Sequence, residues 1–316
     1  MTDCYVDNFG YALGSLQRSA LAAEQAGDLC SSAISLLDAG FAQHNVCAPD
    51  ESAYDLACLA LHDSRIATTE IDCIIYATCL PSNGNNGDGR RFDRSRDVKD
   101  LMDFPASHLQ ADFEMNRAFV VGLNQQACTG ALGSIRMARN LLIAEPEIDN
   151  VLCITADRFP PGAFYEQAYN LISDGAAACR VSREPSGFRI VAAHHITNGA
   201  MATAGDDETV GCYFNYTHRL ISETLSRAKL DLRDIRWIVP QNTNSKAWHI
   251  LASLLRVDAA QAWFESMPRC GHVISADNII NLAELEASGR LVSGDRILTF
   301  MAGFGSNWQC LILERI

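Results

Sequence analysis

The chain has 316 residues, of which 48% are hydrophobic and 20% charged, enough for one large core or for two halves of about 150 residues each. A formal net charge of −13 with no long basic run argues against a nucleic-acid partner. No secretory signal pattern and no apolar run of about 18 residues is present, so a cytoplasmic protein without a transmembrane helix is expected.

In chain order, the apolar spacing predicts a helix over 52–62, an acidic turn, and a buried strand through Ile71–Thr78. Residues 81–106 then break the pattern, being rich in Gly, Asn, Asp and Arg. They read as a long solvated loop or as a docking surface for an acidic carrier protein or a phosphate. Arg90, Arg91, Arg94, Arg96 and Lys99 form the charge cluster in this segment. A β-branched run at Ala118–Val121 leads through polar residues to a helix that starts at Cys128, and a buried strand follows at Ile148–Ala156. The second half repeats the order: a helix over 214–229, a strand through Ile235–Asn242, a helix near 276–290 and a strand at Gly294–Ala302. Continuous apolar strands between helices imply sheets covered on both faces. An internally duplicated α/β unit is the simplest explanation, with an N-terminal half at 1–184 and a C-terminal half at 185–316. The 12 cysteines show no zinc-type pairing, and Cys73, Cys153, Cys179 and Cys310 lie within apolar runs, as reduced core residues do.

Cys128 stands where a strand-to-helix turn would present a nucleophile. The positive end of the helix dipole favours a thiolate there. Small residues behind it, Gly130, Ala131, Gly133 and Ser134, let the helix enter a crowded interior. The same residue also fits a plain buried core cysteine.

Four segments carry a family resemblance: Ile71–Thr78, Gln126-Ala127-Cys128-Thr129-Gly130, Ser173-Asp174-Gly175-Ala176-Ala177-Ala178 and Gly303-Phe304-Gly305-Ser306-Asn307-Trp308. In this order they resemble the buried strand, the nucleophile turn, the Gly-Asp-Gly segment and the C-terminal glycine turn of the thiolase-fold ketosynthase III family, over nearly the whole chain. The resemblance implies a duplicated five-layer α/β/α/β/α architecture and a homodimer. It also implies an acyl group taken from coenzyme A or an acyl carrier protein onto Cys128. The backbone N–H groups of Cys128 and of the Gly303–Gly305 turn would form the oxyanion hole. No metal and no permanently bound cofactor is implied.

Two departures matter. The family's Val-Pro-His-Gln-Ala-Asn reads Val239-Pro240-Gln241-Asn242-Thr243-Asn244 here, and its Gly-Asn-Thr-Ser reads Gly271-His272-Val273-Ile274-Ser275. The His and Asn that support decarboxylative carbon–carbon bond formation are therefore replaced by Gln241 and His272. What remains is a Cys128–His272–Asp277 set, with a nucleophile, a base and an acid to orient the base. Asp277 also reads as an early-helix acid. Gln241, Asn242 and Asn244 are candidates for acceptor binding or for structure, and Phe164, Tyr165 and Tyr169 are candidates for lining the acyl tunnel. His194, His195 and His249 read as structural. Leu37–His44 lacks the arginines with which coenzyme-A-using members hold the nucleotide, which favours a carrier-bound donor. The expected activity is acyl transfer to an oxygen or nitrogen nucleophile in bacterial specialised metabolism. The alternatives are a carbon–carbon condensing enzyme and a non-catalytic subunit of a heterodimeric ketosynthase.

Overall fold

The computed structural model describes residues 3–201, 203, 205–304 and 306–316. The first half carries strands β1 (Tyr5–Leu13), β2 (Leu16–Ser19), β3 (Gln43–Val46), β4 (Cys73–Ala77), β5 (Phe119–Leu123), β6 (Asn150–Asp157), β7 (Glu166–Gln167), β8 (Asn170–Leu171) and β9 (Gly175–Ser182). Its helices are α1 (Ala20–Ala26), α2 (Ala33–Asp38), α3 (Ala53–Ser64), α4 (Gly89–Ser95), α5 (Pro105–Asp112) and α6 (Gly130–Ala144). The second half carries β10 (Phe188–Thr197), β11 (Trp237–Val239), β12 (Arg296–Gly303) and β13 (Asn307–Arg315). Its helices are α7 (Asp206–Ala228), α8 (Ser245–Leu255), α9 (Met267–Cys270) and α10 (Asp277–Ala287).

The main sheet runs β11-β12-β13-β10-β1-β9-β6-β4-β5. Its middle is thin, because β1 meets β10 only at Tyr5–Arg189 and Val6–Phe188. Two half-sheets of the same order result, β1-β9-β6-β4-β5 and β10-β13-β12-β11. In both, the third and fourth strands are parallel to each other (β6 with β4, β12 with β11) and the first two pairings are antiparallel.

Residues along each strand alternate between two cores, since side chains have a period of 2. Ile74 and Tyr76 join Leu56, Ala60 and Leu61 of α3, while Cys73 and Ile75 face the central core. In the second half, Ile238, Leu298 and Phe300 join α7 and α8, while Trp237, Ile297 and Met301 face inward. The central core is completed by Ile135, Ala138 and Leu142 of α6 and by Ile279, Leu282 and Leu285 of α10. The stack is therefore α3, half-sheet, α6 with α10, half-sheet, α7 with α8. Each fully buried Ile or Leu in it contributes about 1.5–3 kcal/mol.

Several elements differ from the sequence expectation. Residues 81–106 are not one long loop. Asp88 caps α4, a 3-10 turn forms at Val98–Leu101, and Asn86 and Asp88 donate backbone bonds back to Asp103 and Asp100 at 2.6 and 2.7 Å. Local side-chain acceptors supply what hydrophobic periodicity does not, so a pattern search sees only polarity there. Helix α7 begins eight residues before the expected start, because Asp206–Tyr213 carries too much polarity to show a period. β9 ends at Ser182 and β10 begins at Phe188. The cysteines are all free, with Cys73, Cys153, Cys179 and Cys310 buried. Among the described residues no helix is long and apolar enough to cross a membrane.

Candidate active site

The parallel strands β4 and β5, flanked by β6, end at the same edge of their half-sheet. The chain leaves β5 at Leu123 and turns through Ala127, whose φ of +46° is a left-handed conformation uncommon for alanine. Such a residue costs about 1–3 kcal/mol and persists only where its surroundings impose it. Here the Thr129 amide and hydroxyl both donate to the Gln126 carbonyl, at 3.0 and 2.6 Å. Cys128 thus lies in a 3-10 turn just ahead of α6, 7% exposed. Gly130 lets that turn abut β4, since a Cβ there would stand 3.1 Å from the Ala77 Cβ. From the other half, Gly303 ends β12 against the turn, where a Cβ would stand 3.0 Å from the Cys128 amide nitrogen and 3.2 Å from that of Thr129.

His272 follows Gly271, which turns at φ +63° where a Cβ would meet the Leu171 carbonyl oxygen at 2.6 Å. The His272 backbone is bracketed by β8 and the next residues: its amide donates to Leu171 at 2.7 Å, and its carbonyl accepts from Ser173 at 2.9 Å. Its ring Nδ1 donates to Asp277 Oδ2 at 2.5 Å. Asp277 is fully buried and accepts two further bonds, from the Val273 amide at 2.6 Å and the Asn242 amide at 2.7 Å. Three donors satisfy this buried carboxyl group, which fixes the ring that it holds. Behind it, Asn242 Nδ2 donates to Ser266 Oγ and the Gly271 carbonyl, and Asn281 Nδ2 donates to Asn242 Oδ1.

Cys128 and His272 line the same cavity. A hydrogen bond from the neighbouring Cys79 pulls the Cys128 thiol down, burial opposes it, and the hydrogen bond and charge of His272 add to the fall, bringing it to about 5. Burial alone would lower His272. The charge and hydrogen bond of Asp277, helped by Cys128, outweigh that and push it up to about 10. Both shifts act in the direction that favours a thiolate beside an imidazolium.

A cavity of about 290 Å³ opens onto Cys128 and His272. Tyr169, Phe214, Ile250 and Trp308 give it apolar walls, and Gln241, Asn244 and Lys246 give it polar points. This is a narrow, largely apolar passage with few polar groups, as small-molecule sites are. Gln241 Oε1 accepts from the Ala302 amide at 2.7 Å, which fixes the side chain to β12. Asn244 caps α8 through the Lys246 amide at 3.0 Å. No group of three or more potential metal ligands occurs among the described residues.

Not every candidate from the sequence reaches this cavity. Tyr169 lies in it, but Phe164 is on the surface, 54% exposed, and Tyr165 is buried and donates to Asp174 Oδ2 at 2.9 Å. Tyr165 therefore belongs to the support of the Ser173-Asp174 turn, where Asp174 also takes the Cys47 and Phe159 amides. Asn242 faces the core, with its amide groups used by the network above. Phe304 and Gly303 line the cavity, whereas Gly305 lies outside the described residues. His194 bonds Glu223 at 2.6 Å and His249 bonds the Ser245 carbonyl at 2.6 Å. Neither these two nor His195 lines the cavity. Cys79 went unnoticed in the sequence. The signal for it is topological: it follows β4 at the edge where Cys128 follows β5.

Comparison with known proteins adds the family. Residues 124–199 match the model for 3-oxoacyl-[acyl-carrier-protein] synthase III, and residues 225–315 match the model for its C-terminal part, together more than half of the chain. A β-ketoacyl-[acyl-carrier-protein] synthase III of Chlamydia caviae is 24% identical over 311 residues, spanning 88% of this chain and 87% of the relative. The solved 3-oxoacyl-[acyl-carrier-protein] synthase III from Aquifex aeolicus superposes with a TM-score of 0.79 at 19% identity, covering 98% of this chain and 99% of its own. A structure described as the acyltransferase ChlB3 gives 0.83 at 19% identity, covering 99% and 98%. At such identities the solved structures speak for the fold.

Proposed function

The chain belongs to the 3-oxoacyl-[acyl-carrier-protein] synthase III family, an enzyme family with the thiolase fold. From that premise we propose that it is an acyltransferase of bacterial specialised metabolism, working through an acyl-cysteine on Cys128 and delivering the acyl group to an O–H or N–H acceptor. The observation that carries this reading is the His272 Nδ1–Asp277 bond at 2.5 Å beside Cys128, while Gln241 holds the Ala302 amide and has no proton to exchange. One oriented base next to one thiolate is what acyl transfer to a heteroatom needs.

In the first step the Cys128 thiolate attacks the carbonyl of a carrier-protein or coenzyme A thioester. The developing oxyanion is held by the Cys128 amide and by the backbone at Gly303. The carbon–sulfur bond of the donor breaks, and its thiolate takes the proton from His272 Nε2. Acyl-Cys128, a free donor thiol and a neutral imidazole result. In the second step Nε2 removes the acceptor proton as the acceptor attacks the thioester carbonyl. Cys128 leaves as a thiolate, and the ion pair is restored. Tyr169, Gln241 and Asn244 are the side chains proposed to contact substrate. No bound cofactor is needed. A homodimer through β5 and a carrier-protein donor complete the proposal.

Carbon–carbon condensation is the second reading, favoured by the synthase activity for which the Chlamydia caviae relative is named. Single-turnover transfer from preloaded enzyme separates the two. His272→Ala is expected to accept the acyl group but to pass it to an alcohol or amine about 10²–10⁴-fold more slowly. Unchanged transfer in that variant would remove His272 as the base. Carbon dioxide released from a malonyl donor would favour condensation.

A further inference from the structure

The cavity over Cys128 carries side-chain amides from Asn170, Gln241 and Asn244, each oriented by what it accepts. Gln241 Oε1 takes the Ala302 amide at 2.7 Å, Asn244 Oδ1 the Lys246 amide at 3.0 Å, and Asn170 Oδ1 the Asn244 amide at 2.9 Å. A backbone N–H can only donate, so the oxygen of each side chain must face it and the –NH2 group must face away. None of these –NH2 groups has a hydrogen-bond partner among the described residues. Lys246 and His272 add further donors to the same cavity, and no Asp or Glu is among its described lining residues. The carboxylates bound to those two groups lie outside the lining. Asp277 is filled by its donors, and Asp38, itself exposed, pairs with Lys246.

We propose that this set of amides selects the acceptor: a hydroxyl compound, neutral or anionic, that carries further oxygen acceptors beside the attacking O–H, and not an amine. The proposal rests on acyl-Cys128 being the intermediate, and it narrows the acceptor of that reading. Fixed –NH2 donors weaken binding wherever they lose water and find no acceptor, by about 10-fold or more for each group. Hydroxyl, carbonyl or carboxylate oxygens next to the attacking group supply that acceptor. An alkylamine is an ammonium ion at neutral pH, a donor only. It would enter among –NH2 groups, Lys246 and His272 with no carboxylate in the lining to meet it, and an unpaired buried charge is costly. In the step itself the C–O bond forms, the C–S bond to Cys128 breaks, and the hydroxyl proton passes to His272 Nε2.

The test discharges full-length enzyme, loaded on Cys128 from a thioester and freed of excess donor, with glycerol, lactate, 1-propanol or propylamine. Each rate is divided by that of the same acceptor on an acyl N-acetylcysteamine thioester in solution, which removes intrinsic nucleophilicity. Glycerol and lactate are expected to exceed 1-propanol about 10-fold or more, and to exceed propylamine by more still. Gln241→Glu and Asn244→Asp keep the oxygen that takes the backbone amide and replace the –NH2 group by an anionic oxygen. Each is expected to shrink the glycerol-to-propylamine ratio about 10-fold or more, with loading slowed less. Propylamine that discharges the enzyme as well as glycerol on this scale would overturn the proposal. So would variants that slow loading and leave the ratio unmoved, since the amides would then serve the arm of the donor. Where neither variant folds, or no acceptor outruns water, the unloaded wild type decides. Iodoacetate must then alkylate Cys128 faster than 2-bromoethylamine does, relative to the urea-unfolded chain, and an equal ratio sinks the exclusion of amines. Failure of the acyl-cysteine reading looks different: this alkylation preference would stand, yet no thioester would load.

Discussion

The lowered Cys128 pKa and the raised His272 pKa, the latter held up chiefly by Asp277, set the pH behaviour of the site. The Cys128 pKa is lowered on folding, so its stabilisation is fully present above the unfolded thiol value and is lost as the pH falls through about 5. The His272 pKa is raised, so its stabilisation is fully present below the unfolded imidazole value and is lost as the pH rises through about 10. The pair is intact between these limits. Acyl loading of Cys128 should therefore be flat across neutral pH with an acid limb near about 5. An acid limb near the ordinary thiol value of about 8.5 would show that no ion pair forms. Asp277→Asn removes the charge that holds His272 up and places an amide against the Val273 and Asn242 donors. Transfer to the acceptor should fall about 10²–10⁴-fold, measured in single turnover, with loading less affected.

At the scale of elements, the site is built from the ends of strands. Gly303 ends β12 with little room for a side chain, because a Cβ would sit 3.0 Å from the Cys128 amide and would push that turn away. Gly303→Ala should leave the fold intact by circular dichroism yet slow loading about 10²-fold, by shifting the Cys128 amide out of line with the oxyanion. An unaffected rate would place the oxyanion elsewhere. Asp157→Ala strips the buried acceptor shared by Thr78, Cys79, Leu80 and Asn83 after β4. It should cost about 2–4 kcal/mol in chemical denaturation, since buried donors lose their partner. The sequence disclosed these elements unevenly. Cys128, His272 and Asp277 stand at motif positions, and the fold brings them together. Gln241 and Asn244 were visible in the same way. Phe164 and Tyr165 were not separable from Tyr169 by pattern, because only the left-handed Ala168–Tyr169 turn decides which ring faces the cavity. Asn242 stayed open between acceptor binding and structure because nothing in one dimension shows that its amide supports Asp277. Cys79 is about fifty residues from Cys128 in sequence and is joined to it only by strand order.

For the whole molecule, duplication was legible because both halves repeat helix, buried strand, helix and buried strand. How the half-sheets touch was not, since two residue pairs between β1 and β10 leave no periodic trace. One edge of the sheet remains open. β5 carries Phe119 at 44% and Val120 at 38% exposure, an unprotected apolar edge of the kind that pairs with another chain. A second copy across β5 is the proposed occupant. Val120→Lys should convert a dimer to a monomer in light scattering coupled to size exclusion, whereas a monomeric wild type would contradict the proposed assembly.

The most direct measurement is the intact mass of the protein after exposure to a panel of acyl-coenzyme A and acyl-carrier thioesters, with Cys128→Ala alongside. The expected result is a mass increase equal to the acyl group in the wild type, absent from Cys128→Ala, and discharged by an alcohol or amine acceptor. No adduct from any donor, or one that persists in Cys128→Ala, would contradict acyl transfer through this cysteine.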